Sequence, residues 1–326
     1  MARSGLKTAG LIAGVGCLSI IGVIVGGVVI AALYARATIR NLGDPTPQSV
    51  ERRIALPVAP VAEPVKGQKA SSTAARTVPL RVRLELQEGT FTIRPGQPGT
   101  DIHVQGRYAP GLFELTESHS DDPSGGRETR VRFKSKISGW QRFFASIGSN
   151  DNDRPELTVT LPRGTSIDLT LDLTMGKSDI DLGGLTLSEV DLNASMGEHR
   201  IDFREPVVES MRELRLSTSM GNVVIDHLGN AHAETISGHG SMGNVTANLA
   251  GAWTPGSSTD LRFEQSMGDL TVRVPSTVKV DADVRNNQGD QERQQQPTLK
   301  QPDDPNAPTL RLRVNSSMGN ARVVQD

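Results

Sequence analysis

Apolar and polar residues alternate along much of this chain, and the alternation reverses phase at the same place again and again. Leu169, Leu171 and Leu173 hold every second position up to Met175; past Gly176 the apolar residues are Ile180 and Leu182, one step out of phase. Val190, Leu192 and Ala194 lead to Met196-Gly197, followed by Ile201 and Phe203. Leu214 and Leu216 lead to Met220-Gly221, followed by Val223 and Ile225, and Val245 and Ala247 follow Met242-Gly243. Leu261 and Phe263 precede Met267-Gly268, with Leu270, Val272 and Val274 after it; Leu312 and Val314 precede Met318-Gly319, with Ala321 and Val323 after it. Period-two alternation is the mark of a strand with one buried face. The pattern predicts an all-β domain.

A slip of one residue sends every later side chain to the opposite face. A core kept on one side therefore needs a bulge or corner at each slip, and glycine reaches the backbone conformations such a corner demands. The residue before each Met is Thr174, Ser195, Ser219, Ser241, Ser266 or Ser317, so the signature is small hydroxyl, Met, Gly. Successive Met positions from 175 to 267 are 21, 24, 22 and 25 residues apart. Such a period belongs to stacked β architectures, and predicts a β-solenoid or stacked β-repeat with rungs of about 22–25 residues. A disguised copy runs from Leu80 to Ile93 with Glu88 in the Met slot, which predicts an end rung meeting water. Between Met267 and Met318 there is room for a degenerate rung, Val278 to Val284, followed by a polar insertion over 287–308 that composition alone marks as disordered.

Stacking the rungs aligns the six methionines in a column. Their apolar parity favours packing in the corner, which a flexible thioether does well. A soft thioether column is also the donor set of a Cu(I) site, but such sites use wet methionines. The expectation is therefore a packed Met column with no metal and no cofactor.

From Ala9 to Ala35 the sequence carries no charge. The stretch Leu11 to Leu33 would span about 35 Å as a helix, enough for one membrane crossing. It is longer than a signal-peptide core, so residues 9–35 are read as a retained anchor, with 1–8 as a short cytoplasmic N-terminus. Residues 36–78 contain Pro45, Pro47, Pro57, Pro60 and Pro64 and read as an extended linker. The β region, 79–326, is expected outside the cytoplasm, periplasmic or at the cell surface. Cys17, the sole cysteine, falls in the anchor, so the β region has no disulfide.

Net charge is −2, from 35 Lys and Arg against 37 Asp and Glu, which leaves no electrostatic footprint for nucleic acid. The one aromatic cluster is Ile137 to Ile147. Ile137, Trp140, Phe144 and Ile147 fall at helical spacing, as expected of a short helix over an open end of the stack. Trp140, Arg142, Phe143 and Phe144 are also the side chains expected to meet a lipid or partner protein. The histidines lack metal-ligand spacing, the aspartates lack the calcium-roll rhythm, and no nucleophile motif emerges.

An N-terminal anchor, a strand-Gly-strand opening (Leu86 to Ile93), and Pro155-Glu156-Leu157-Thr158-Val159-Thr160-Leu161-Pro162 leading into Gly-punctuated strands together resemble the bacterial putative-adhesin β-strand repeat family, a domain of unknown function related to the toast-rack domains of cell-envelope proteins. The resemblance covers about 80–326 and implies fold rather than activity, with no catalytic residue to carry over. The function expected is non-enzymatic: a membrane-tethered module for surface interaction or envelope organisation, with an envelope protein, lipid or surface polymer as partner. A regulatory envelope-stress component binding a membrane partner or lipid is the second reading. A polysaccharide-acting β-helix enzyme is the third.

Overall fold

The structure is a computed structural model that describes residues 46–56, 79–99, 101–121, 127–137, 154–288, 291–295 and 297–326. The anchor and most of the linker lie outside these residues; among the described residues no helix is long and apolar enough to cross a membrane. Two compact units divide the chain. Of the smaller, 46–48, 109–114 and 135–137 are described. There the amides of Leu112 and Phe113 both donate to the Ala109 carbonyl at 2.9 Å.

The larger unit, 49–108, 115–134 and 154–326, holds all but a few terminal residues of the strands. In chain order they are β1 (Gln48–Ala55), β2 (Leu80–Pro98), β3 (Asp101–Tyr108), β4 (Phe113–Asp121), β5 (Arg127–Ser135) and β6 (Glu156–Arg163). The repeats follow as β7 (Ser166–Asp181), β8 (Thr186–Asp202), β9 (Met211–Asp226) and β10 (Ala233–Asn248). Then come β11 (Ser258–Met267), β12 (Leu270–Val274), β13 (Lys279–Gln288), β14 (Gln291–Gln295), β15 (Thr309–Met318) and β16 (Ala321–Gln325).

Neighbouring rungs β2, β7, β8, β9 and β10 pair in parallel, with Gly89, Gly176, Gly197, Gly221 and Gly243 aligned one beside the next. Each rung is a bent strand with two arms. In β7 the first arm buries Ile167, Leu169, Leu171 and Leu173, and the second buries Ser178 and Ile180. The phase change read from the sequence is therefore the bend itself. Gly221 shows why glycine stands there. Its φ is 138°, a region closed to most side chains, and a Cβ would overlap the carbonyl oxygen of Gly197 on the rung before.

Core rows compensate for one another. Gly238 leaves room that the Phe263 ring of the next rung fills. Gln265 fills the space beside Gly240 and donates through Nε2 to the carbonyls of Gly243 (3.0 Å) and Met267 (2.7 Å). A buried amide here satisfies backbone oxygens where the bend interrupts the ladder.

Three expectations change. Strand β2 is not an end rung: its first arm pairs with β5 and its second with β6, so Glu88 sits where the flanking sheet forks. The degenerate rung forms as β13, but it does not stack on β11. Strand β15 pairs directly with β11, and β13 lies outside β15. The polar insertion, in turn, contains structure. Strand β14 forms a hairpin with β13, and side-chain amides take the place of missing strands. Gln301 donates to the Val280 carbonyl and accepts from its amide, each at 2.9 Å. Asn286 does the same for Ala321 at 3.1 and 2.9 Å. An amide side chain copies the donor and acceptor of a peptide, so Gln- and Asn-rich sequence can close a strand edge that composition marks as loop.

Candidate functional site

The corners carry the row of residues singled out by the sequence. Met175, Met196, Met220, Met242, Met267 and Met318 are register partners in unbroken succession. Glu88 continues the row beyond Met175. The packing expectation fails here: the six side chains are 36–56% exposed. Burial stops two residues before each Met, as at Leu173, and resumes three after, as at Ser178. The residues between lie on the outer side of the bend, where strand parity no longer predicts direction. Met211, outside the pattern, is the buried methionine, at 0% exposure. The glycines that follow the corner methionines (Gly176, Gly197, Gly221, Gly243, Gly268 and Gly319) all have positive φ, between 105° and 143°.

The second candidate surface is the outer face of the first arm. Charged residues from different rungs come together there because they share an offset from the Met. Five residues before it stand Arg83, Asp191, Arg215, Arg262 and Arg313; three before it stand Glu85, Asp172 and Glu264. Glu85 is a hub: its carboxylate meets Arg83 at 3.2 Å, Arg130 at 3.4 Å, and Arg132. The hydrogen bond from Arg132 holds the Glu85 carboxyl below the ordinary range, against the opposing effect of burial. Burial pushes the Glu189 carboxyl up, but Arg212 and Arg215 together outweigh it and hold it low. Asp191 goes the other way. Burial raises its pKa, with nearby Asp172 and Glu189 adding to the rise and Arg215 and Arg83 opposing it. Glu189 and Asp191, with Arg83 and Arg212, border a depression of about 280 Å³. A perturbed carboxyl beside fixed cations is the kind of group that binding sites use. Reading rung by rung missed this cluster; aligning the rungs on the Met would have exposed it.

Two histidine pairs were also not legible. Ser178 and His199 face each other inside the corner, Oγ to Nδ1 at 2.9 Å, both buried. Burial lowers the His199 pKa, and its Nε2 has no hydrogen-bond partner. His227 sits in the left-handed region at φ 54° and bonds the buried Asp202 at 2.7 Å. Neither pair borders any of the three depressions described in the structure. The largest of these, about 760 Å³, lies between β2, β3 and β6 and is bordered by Arg94, Asp101, His103 and Arg163. Among the described residues no group of three or more His, Cys, Asp or Glu side chains is placed to hold a metal. Trp140, Arg142, Phe143 and Phe144 lie outside the described residues.

The sequence model of the family described as the N-terminal domain of toast_rack, DUF2154, matches residues 62–226. No curated protein matches the chain. Among solved structures, a putative cell adhesion protein from Clostridium sporogenes is 11% identical, covering 86% of this chain and 100% of its own, with a TM-score of 0.38. A putative lipid binding protein from Parabacteroides distasonis is 12% identical over 87% and 98%, with a TM-score of 0.35. A putative adhesin from Bacteroides fragilis is 10% identical over 86% and 99%, with a TM-score of 0.28.

Proposed function

The chain belongs to the toast_rack N-terminal domain family, and from that premise we propose that it is a non-enzymatic, membrane-tethered, extracytoplasmic module that meets an envelope component through the outer face of its first arms. The observation that carries this reading is the fixed arrangement of both charge signs on that face, from Arg130 and Arg132 through Glu85, Asp172 and Asp191 to Arg215, Arg262 and Arg313. Parallel rungs hold such rows about 4.8 Å apart, a spacing suited to an extended charged partner such as a surface polymer. The tether rests on the uncharged stretch from Ala9 to Ala35.

The reading is tested in two parts. Full-length protein should stay with membranes after alkaline extraction and be digested by protease added to cells whose outer layer has been opened. Recovery in the soluble fraction would remove the tether. Full-length protein in detergent should also co-sediment with purified cell envelope in a salt-sensitive manner, and Arg215→Glu with Arg262→Glu and Arg313→Glu should lose this. Release of sugar reducing ends from the envelope, abolished by Asp191→Asn, would replace the reading with an enzymatic one.

A further inference from the structure

The six corner methionines form an uninterrupted, solvent-facing row in which each is the register partner of the next. Adjacent strands lie about 4.7–4.9 Å apart, so the row extends over about 24 Å. Each thioether hangs on a flexible, unbranched side chain, and at this separation neighbouring sulfurs can turn towards a common point.

The row is one side chain wide. On one side stand Thr174, Ser195, Ser219, Ser241, Ser266 and Ser317; on the other stand Lys177, Glu198, Asn222, Asn244, Asp269 and Asn320. A lipid or a protein that covered the methionines would have to strip water from both polar flanks. Hydrophobic docking surfaces are contiguous patches of several hundred Å², which a single file of side chains between polar rows does not supply. Leu or Val would serve as well as Met if apolar area were the shared property, and the buried rows of the same rungs use them freely. What the corner repeats is the sulfur.

Topology points the same way. After β12 the chain offers two strands to the exposed edge of β11, and the one that docks is β15, which carries Met318 into line with Met267. Strand β13 reaches the stack only on the far side of β15, and its pairing with β15 ends at Asn286, short of the Met row. Charge is favourable to a cation. Lys177 is engaged by Glu198 at 2.9 Å, while Asp269 adds negative charge along the file.

From this geometry we infer that the corner column is a binding site for a soft monovalent cation of the Cu(I) class, held between thioethers of adjacent rungs. Neutral sulfur donors select Cu(I) over Mg(II), Ca(II) or Mn(II), which take oxygen. The inference concerns a different surface from the charged face above and stands or falls without it.

The test is competition for Cu(I) under anaerobic, reducing conditions between full-length protein in detergent and the chromophoric chelator bicinchoninate. Wild type should withdraw Cu(I) from the chelator. Met196→Leu with Met220→Leu and Met242→Leu should weaken binding by about tenfold or more. These side chains are exposed, so the variant should keep the wild-type circular dichroism spectrum. Met211→Leu, a change to the buried methionine, should bind as wild type does. Ag(I), which needs no reductant, should behave as Cu(I) does. An unchanged chelator spectrum with wild type would overturn the inference, and so would equal binding by the triple variant.

Discussion

Met267 and Met318 are register partners although 51 residues of chain separate them. Every earlier pair in the row joins consecutive repeats. Here the stack passes over β13 and takes in the next Met-bearing strand instead, so spatial order departs from chain order at one point only along the Met row. The skipped strand still contributes, through Asn286, which bonds both the amide and the carbonyl of Ala321 where a further rung would otherwise lie.

The corner glycines should be more sensitive than other glycines at positive φ. Gly221 and Gly256 both have positive φ, 138° and 72°, but a Cβ meets the Gly197 backbone at the first and open space at the second. Gly256→Ala should cost about 1 kcal/mol from backbone strain alone. Gly221→Ala should cost well over that, because two rungs must separate. Urea denaturation of the two variants decides it; equal midpoints would mean that inter-rung contact does not select glycine.

Exposure of the Met row predicts tolerance. Met220→Ala should change stability by no more than about 0.5 kcal/mol, as for an ordinary surface position. Met211→Ala, at the buried methionine, should cost about 2–5 kcal/mol. A large loss at Met220 would return that side chain to the core.

Stability should fall with acid through His199. Its folded-state pKa is depressed by burial, so the unfolded chain binds more protons below the ordinary imidazole value of 6.5. The contribution is complete above 6.5 and declines progressively as the pH drops below it. His199→Val, which places beside Val223 a residue of the same kind, should flatten the dependence of melting temperature on pH below 6.5. An unaltered slope would assign the acid sensitivity to other groups.

Gln301 closes the edge of β13 by matching both backbone groups of Val280. Gln301→Ala should leave that edge unpaired and open to another chain, since exposed edges template association. The variant should show faster amide exchange at Val280 and a greater tendency to self-associate in sedimentation. Exchange as slow as wild type would show that the amide contacts do not protect the edge.

Local periodicity determined a good deal of this protein. Alternation fixed the strands, the phase change fixed the corners, and the requirement for positive φ identified Gly176, Gly197, Gly221 and Gly243 as the residues that make them, because each follows from backbone geometry within a few positions. The side of the corner on which a Met falls was not legible. Parity counts residues along an extended strand and loses its meaning inside a bend, where the chain changes direction and several successive side chains point outward. Nor could the sequence show that Glu88 lies at a fork, that β15 docks ahead of β13, or that Gln301 stands in for a strand. Those are decisions between distant segments competing for the same hydrogen-bonding edge. The meeting of Asp172 with Glu189 and Asp191 belongs to the same class: alternation alone puts Glu189 and Asp191 on one face of β8, but Asp172 and the arginines come from neighbouring rungs and join them through the register between strands.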